Sequence, residues 1–333
     1  IQNASFADVN YTPTGDEASA ILQYASLNGT ISPISGCSFT NTEIYIAQAA
    51  GSSHTIAVSD NTYDGVSPGS ATFAQLVTIE DKINHKMDDN TTGLITFRLK
   101  TVVATPNNLG IQQGVDAASP DDSVLVAAGT YRENVNVNKK ITLRGAGSGS
   151  DSATSTIITN SANGRVVLLT ASGTSTVSPV SLQNFRIVPV GINGLEVTNA
   201  NTVSYVQIEN VFVVGPLLRT VENEIGFKIA TDGNLMHLVM NNCSFQYCDY
   251  GWYFAKHGDW GPGGSNVVDV TVTNTTFLNN DYKGIYVEKL SDATLTDVVF
   301  SNNGSSSFWN DTWNGGADIN LKGRELYQNL VFN

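Results

Sequence analysis

The sequence predicts an all-β chain, a parallel β-helix or solenoid with an N-terminal capping region that contains short helices. Two observations carry this. The first is a recurring phrase in which apolar residues alternate up to an Asn or Asp, and a bulky apolar residue follows three positions later. It reads Leu182-Asn184-Ile187, Ile208-Asn210-Val213, Met240-Asn242-Phe245, Val272-Asn274-Phe277, Leu295-Asp297-Phe300 and Tyr327-Asn329-Phe332. The anchors lie 26, 32, 32, 23 and 32 residues apart, and a repeated unit that cannot bury its own apolar face must stack on copies of itself. The second is a strand after most anchors, usually opened by glycine: Gly194-Leu195-Glu196-Val197, Gly226-Phe227-Lys228-Ile229, Gly251-Trp252-Tyr253-Phe254, Gly284-Ile285-Tyr286-Val287 and the variant Ala317-Asp318-Ile319-Asn320-Leu321. These segments alternate apolar with polar or amphipathic residues, the period of a strand with one buried face. Two or three short strands per coil of about 20 to 32 residues describe coils that stack in register.

Residues 1–105 read as the capping region. A helix is expected over residues 16–27, where Ala20, Ile21, Tyr24 and Leu27 make an apolar stripe and Asn28-Gly29 a stop. Another is expected over residues 73–88, where Leu76, Ile79, Ile83 and Met87 recur at three- and four-residue steps. Between them, Ser35-Gly36-Cys37-Ser38-Phe39 followed by Glu43-Ile44-Tyr45-Ile46-Ala47 echoes Asn241-Asn242-Cys243-Ser244-Phe245 followed by Gly251-Trp252-Tyr253-Phe254-Ala255. The echo predicts that the repeat, or a strand able to pair with it, is already present here.

Residues 106–333 read as the β-helix. They open with a short helix that puts Ile111, Val115 and Ala118 on one face, suited to cover the open end of the first coil and its backbone edges. Asp121-Asp122-Ser123-Val124-Leu125-Val126, Gly129-Thr130-Tyr131-Arg132-Glu133-Asn134-Val135 and Ile141-Thr142-Leu143-Arg144-Gly145 follow. This order of helix, strand, Gly-Thr-Tyr turn and strand resembles the first coils of right-handed parallel β-helices of the pectin-lyase-like superfamily. The resemblance runs from about Ile111 to Asn333. It implies a fold and no single activity, because the superfamily spans lyases, hydrolases, esterases, epimerases, phage spikes and adhesins. The Trp-Ile-Asp-His motif of pectate lyases and the later catalytic motifs of pectin methylesterases have no counterpart here. A looser resemblance, in Thr78-Ile79-Glu80-Asp81-Lys82-Ile83-Asn84-His85-Lys86 and Gly93-Leu94-Ile95-Thr96, is to junctions in large, multi-repeat secreted bacterial surface proteins.

The anchors Asn184, Asn210, Asn242, Asn274, Asp297 and Asn329 are expected at turns between strands. Asn tolerates left-handed backbone and bonds neighbouring backbone groups, so stacked copies form a structural ladder.

Composition narrows the function classes. Seventeen basic and thirty acidic residues give a net charge of −13, which argues against nucleic acid and anionic membranes as partners, since counterion release needs clustered Lys and Arg. An acidic surface can hold Ca²⁺, although the nonapeptide of calcium-binding rolls is absent and no motif selects the ligands. No cofactor is implied. No run of 18 apolar residues occurs, so membrane insertion is not expected, and the start at Ile1 without Met reads as a processed or truncated product. Sequons at Asn3, Asn10, Asn28, Asn90, Asn242, Asn274, Asn303 and Asn310 permit N-glycosylation where the source performs it. Of the three cysteines, Cys37, Cys243 and Cys248, the latter two flank a turn, where a bridge and two buried thiols are both open; stacked positions favour thiols.

Candidate sites lie on the glycine-opened strands. With Leu195, Phe227, Trp252, Ile285 and Ile319 pointing inward, Glu196, Lys228, Tyr253, Tyr286 and Asn320 form an outward column at about 4.8 Å per coil. Flat aromatics beside carboxylate and amide groups suit sugar rings; an ordinary sheet face with aromatic packing is the other reading. Trp260, Trp309 and Trp313 lie in the two longest insertions and are carbohydrate-contact candidates too, against packing on the solenoid flank. His257-Gly258-Asp259 beside Trp260 reads as a solvated loop pair.

Catalysis has weaker support. A uronate lyase needs a Lys or Arg base near a carboxylate-bearing sugar, with Ca²⁺ or another cation to acidify the α proton. Asp281, Lys283, Glu288, Lys289 and Asp292, with Lys322 one coil on, are the nearest constellation, and Asp318 with Glu288 is the outward carboxylate pair for a glycosidase. Neither follows a motif. The last repeat carries no polar cap, so self-association through coil ends is expected, in the head-to-tail manner that yields fibres. The expectation is therefore an extracellular or cell-surface structural or adhesive module, self-associating end to end and contacting glycans on an aromatic flank. A Ca²⁺-assisted polysaccharide lyase is the alternative.

Overall fold

The computed structural model describes residues 1–10, 19–23, 33–49, 53–160, 164–199, 201–216, 224–255, 266–304, 316–322 and 329–333. Strands dominate, the strand pairs of the sheets are parallel, and two α-helices are present among the described residues. The chain divides into two compact units, Ile1–Ala127 and Ala128–Asn333.

The first unit is itself built from stacked parallel strands. Ser5–Ala7, Ser38–Thr40 and Thr62–Tyr63 pair in sequence order, as do Ser19–Gln23, Ile44–Gln48 and Ile83–Asn84, and Ile56–Ala57 with Ile95–Thr96. Register follows the aromatic positions: Phe6 stacks on Phe39 at 5.1 Å, and Phe39 on Tyr63 at 5.3 Å. In-register pairing puts like on like although the coils differ in length, and each ring contact adds to the burial it already provides. The echo noted around Cys37 is therefore a coil of the same design. The helix expected over residues 16–27 is not what forms over its centre: Ser19–Gln23 is a strand paired with Ile44–Gln48. An apolar stripe at helical spacing is a weak preference beside a ladder on a buried neighbour, whose five residues are all buried. The second helix forms as Phe73–Glu80, with Thr72 and Gln75 closing a capping box, and stops short because Ile83–Asn84 leaves it to pair with Ile46 and Ala47.

A third expected helix forms as Gly110–Ala117, burying Ile111, Gly114 and Val115. It packs against the parallel pair Thr101–Ala104 and Ser123–Val126. A Cβ on Gly114 would stand 2.8 Å from a Val124 methyl, so the glycine sets how near the helix lies.

The second unit consists of three parallel strand stacks. One holds Thr142–Gly145, Val180–Val188, Thr202–Val214, Asn234–Asn241, Val267–Thr273, Ser291–Thr296 and Leu330–Phe332. A second joins Gly129–Arg132 and Thr156–Thr159 to the later halves of Val180–Val188 and Thr202–Val214, then to Ser244–Gln246, Thr276–Leu278 and Val299–Ser301. The third is a seven-stranded sheet of Val135–Val137, Arg165–Leu169, Asn193–Val197, Ile225–Ile229, Tyr250–Phe254, Lys283–Val287 and Ala317–Leu321. Successive strands in each stack come from successive repeats, the consecutive stacking of a parallel solenoid. Leu182, Ile208, Met240, Val272, Phe245, Phe277 and Trp252 are buried at 0% exposure. The strand-opening glycines are needed where coils touch. A Cβ on Gly226 would stand 2.5 Å from the Gly251 carbonyl, and Gly251 meets Gly284 in the same way.

The asparagine anchors turn the chain from the first stack into the second. Asn184, Asn210, Asn242, Asn274 and Asp297 all hold positive φ, between 49° and 61°, the left-handed region that Asn tolerates best among residues with a Cβ. Asn210 Nδ2 donates to Asn184 Oδ1 at 2.8 Å, and Asn242 Nδ2 to Asn210 Oδ1 at 3.3 Å. One coil further Asn274 turns to Asn241 Oδ1 at 3.1 Å. Asn329 does not extend this ladder. Leu330–Phe332 pairs with Ala293, Thr294 and Leu295, which sets Asn329 against Asp292, and its Nδ2 donates to Asp292 Oδ1 at 2.6 Å. It joins a different column of left-handed residues, Tyr205, His237, Asp269 and Asp292. There the Tyr205 and His237 rings stack at 4.3 Å and His237 Nδ1 meets Asp269.

All three cysteines are buried free thiols. No helix among the described residues is long and apolar enough to cross a membrane.

Candidate functional site

The seven-stranded sheet aligns the expected column residue for residue: Glu196 opposite Lys228, Lys228 opposite Tyr253, Tyr253 opposite Tyr286, and Tyr286 opposite Asn320. Their neighbours Leu195, Phe227, Trp252 and Ile285 are buried, so the alternation of the strand turns the column to the other side. Lys228, Tyr253 and Asn320 are partly exposed.

The members differ in what they can offer. Glu196 is buried, ion-paired with Arg165 (Nε to Oε2, 3.3 Å) and bonded by Asn193 Nδ2 at 2.7 Å. Its carboxylate is thus committed to holding two coils together. Tyr253 and Tyr286 stack at 4.9 Å, and Tyr250 packs against both at 5.0 and 5.9 Å and against Tyr282 at 5.4 Å. Burial pushes the Tyr250 phenol up to about 12, helped by its neighbours Tyr253, Tyr282 and Asp249.

Three of the catalytic candidates gather around this tyrosine cluster. Tyr286 donates its hydroxyl to Glu288 Oε1 at 2.6 Å, Glu288 pairs with Lys322 Nζ at 3.4 Å, and Lys322 and Lys283 stand 5.6 and 6.0 Å from the Tyr286 ring centre. Lys283 is buried, and burial together with the nearby Lys322 ammonium lowers its pKa. A charged amine over an aromatic face is attracted by the ring quadrupole. A desolvated amine next to a second cation also gives up its proton more readily than an exposed lysine.

The remaining candidates make other contacts. Lys289 is buried and donates to three backbone carbonyls, Ala230 at 3.0 Å, Thr231 at 3.2 Å and Gly233 at 2.5 Å, which makes it an internal cation that fastens a turn. Asp292 belongs to the Asn329 column. Asp281 is partly buried and its backbone N–H bonds the Cys248 carbonyl at 2.8 Å. Asp318 accepts from Asn303 Nδ2 at 2.8 Å. Trp260, Trp309 and Trp313, and His257 with Asp259, lie outside the described residues. Among the described residues no group of three or more His, Cys, Asp and Glu side chains is placed to hold a metal ion.

A second set of asparagines escaped sequence reasoning. Asn280 is fully buried; its Oδ1 accepts from Cys248 N–H at 3.1 Å, while its Nδ2 donates to the Phe245 carbonyl at 3.1 Å and to Asn303 Oδ1 at 2.8 Å. Asn61 does the same in the first unit, accepting from Cys37 N–H at 2.8 Å and donating to the Ile34 and Val58 carbonyls. The usable signal was a second Asn beyond the aromatic, as in Phe277-Leu278-Asn279-Asn280 and Phe300-Ser301-Asn302-Asn303.

Set against protein-family models, curated proteins and solved structures, the chain matches none of them.

Proposed function

We propose that the chain is a right-handed parallel β-helix of the pectin-lyase-like kind, acting outside the cell as a structural or adhesive module that binds glycans along its seven-stranded sheet. The observation that supports this best is the in-register column Lys228, Tyr253, Tyr286 and Asn320, with Lys322 beside it. The partly exposed Tyr253 ring presents apolar area, stacked on Tyr286, which is itself buried, and the amide and ammonium groups reach hydroxyl or acidic groups of a sugar chain. Glu196 is left out of this reading because its pairing with Arg165 occupies it. Trp260, Trp309 and Trp313 remain in it as further proposed contacts. End-to-end association of copies, in the head-to-tail manner that yields fibres, is part of the proposal.

The test is binding of the purified chain to immobilised neutral and uronate-containing polysaccharides, with Tyr253→Ala and Lys322→Ala as variants. Retention that both variants reduce at least about tenfold, roughly 1.4 kcal/mol, supports the flank. Retention of neither polymer class, or retention that neither variant alters, refutes it. Sedimentation across a concentration series tests the association.

A second reading, a polysaccharide lyase, is favoured by one observation: buried Lys283, with its lowered pKa, beside Tyr286 and Lys322. In this reading Lys283 takes the proton α to a uronate carboxylate, the bond from the β carbon to the glycosidic oxygen breaks as the carbon–carbon double bond forms, water protonates the departing oxygen, and Lys322 faces the acid group. Ultraviolet absorbance from unsaturated sugar ends, produced with uronate polymer and Ca²⁺ and lost in Lys283→Met, separates the two readings.

A further inference from the structure

The sequon Asn303-Gly304-Ser305 sits where its amide has no hydrogen to spare. Asn303 Nδ2 donates one hydrogen to the Phe277 carbonyl at 2.8 Å and the other to Asp318 Oδ1 at 2.8 Å. Its Oδ1 takes the Asn280 Nδ2 at 2.8 Å and the Asn280 backbone N–H at 3.2 Å. The side chain thus ties two neighbouring repeats together and, through Asp318, two segments of its own repeat. The space beside it is closed as well: Gly304 holds φ +77°, and a Cβ there would run into the backbone of Gly316 and Ala317.

N-glycan transfer from a lipid pyrophosphate donor forms a bond between Nδ2 and the sugar's anomeric carbon, expels the lipid pyrophosphate and releases one amide proton. A chain so modified before it folds has one amide hydrogen where the fold uses two, and a sugar where Asp318 or Phe277 belongs. The contrast is Asn90, also a sequon. It is exposed in a turn whose hydrogen bonds run through Asp89, Thr91 and Thr92, so a glycan there replaces water. Asn242 and Asn274 are intermediate, each exposed and each donating one hydrogen, to Asn210 and Asn241 respectively.

We infer that Asn303 must stay unmodified for the second unit to fold, so the chain matures in a compartment that does not transfer N-glycans to this sequon, while Asn90 is an acceptor the fold tolerates. This goes beyond the glycan-binding proposal and does not depend on it.

The test is secretion from a glycosylating eukaryotic host. Expected are secreted molecules with glycan at Asn90 and none at Asn303, a retained pool with glycan at Asn303, and a severalfold rise in secreted yield for Ser305→Ala, which removes the sequon and keeps the asparagine. A second arm needs no glycosylation. Asn303→Asp, made in a non-glycosylating host, lacks both donors and sets a carboxylate against Asp318, so its thermal midpoint should fall by about 4 °C or more. Secreted, folded protein with glycan at Asn303, or an Asn303→Asp variant that melts with its parent, overturns the inference.

Discussion

Replacing the buried amide of Asn280 by a hydrocarbon of similar size, Asn280→Leu, should cost the second unit a large share of its stability. Leucine fills the volume but leaves the Cys248 N–H and the Phe245 carbonyl without the partners they have at 3.1 Å, and removes the 2.8 Å donor to Asn303 Oδ1. A buried polar group deprived of its partner costs roughly 1–3 kcal/mol. Two backbone groups and one amide oxygen therefore amount to about 4 kcal/mol, against the roughly 5–15 kcal/mol that a domain commands. All four tryptophans lie within Ala128–Asn333, so tryptophan fluorescence during guanidinium unfolding follows this unit. The expected result is a lower midpoint with an unchanged slope. The internal control is Asn242→Gly, which keeps the left-handed backbone and gives up one exposed ladder bond to Asn210; it should cost under about 1 kcal/mol. Equal losses for the two variants would refute the claim that the inner asparagines hold the coils.

Three further outcomes follow from the same geometry. Lys289→Met strips the ammonium from the Ala230, Thr231 and Gly233 carbonyls and should cost about 3–5 kcal/mol in the same fluorescence assay; near-parental stability would mean the turn satisfies itself. Asn210→Ala should cost about 1–2 kcal/mol more than Asn210→Gly, because at φ 51° the alanine Cβ is strained while glycine is not. Alkaline pH should destabilise the second unit. Burial pushes the Cys243 thiol from 9.0 up to about 12 and the Tyr250 phenol from 10.0 up to about 12. For both groups the folded pKa lies above the unfolded one, so their contribution is complete below the unfolded value and fades as pH rises towards the folded one. That is about 1.4 kcal/mol per pH unit for Cys243, and less for Tyr250, whose partial exposure lets solvent screen it. Urea melts between pH 8 and 11 measure it. Stability that stays flat over that range, or a Cys243→Ala variant that declines as steeply as its parent from pH 9, would contradict the assignment.

Much of this architecture could be read in the repeat, because a solenoid writes its register into the sequence: Asn184, Asn210, Asn242, Asn274 and Asp297 all turn the chain in the left-handed region. The column of Glu196, Lys228, Tyr253, Tyr286 and Asn320 was legible for the same reason, since a glycine opening each strand fixes which neighbours turn inward. Where sequence reasoning failed, non-local pairing had the deciding role. Ala20 and Ile21 fit a helical stripe, yet Ser19–Gln23 lies along Ile44–Gln48, and no local pattern announces that partner. Tyr327-Asn329-Phe332 copies the phrase, yet the register of Leu330–Phe332 on Ala293–Leu295 places Asn329 five positions away from the Asp297 equivalent. The chemistry of single column members was hidden too. Only the neighbouring coil reveals that Arg165 claims Glu196 and that Lys289 faces carbonyls instead of a groove.

Successive repeats lie parallel and in register, one coil apart, along the seven-stranded sheet. Disulfide trapping measures this directly, because adjacent strands stand about 4.8 Å apart, within the roughly 4.4–6.8 Å that a disulfide spans between Cα atoms. The paired substitutions Tyr253→Cys with Tyr286→Cys, and Lys228→Cys with Tyr253→Cys, should oxidise to intramolecular bonds. Lys228→Cys with Tyr286→Cys, two coils apart at about 9.6 Å, should not. Bond formation in the third pair, or in neither of the first two, would contradict the stacking and remove the flank along with it.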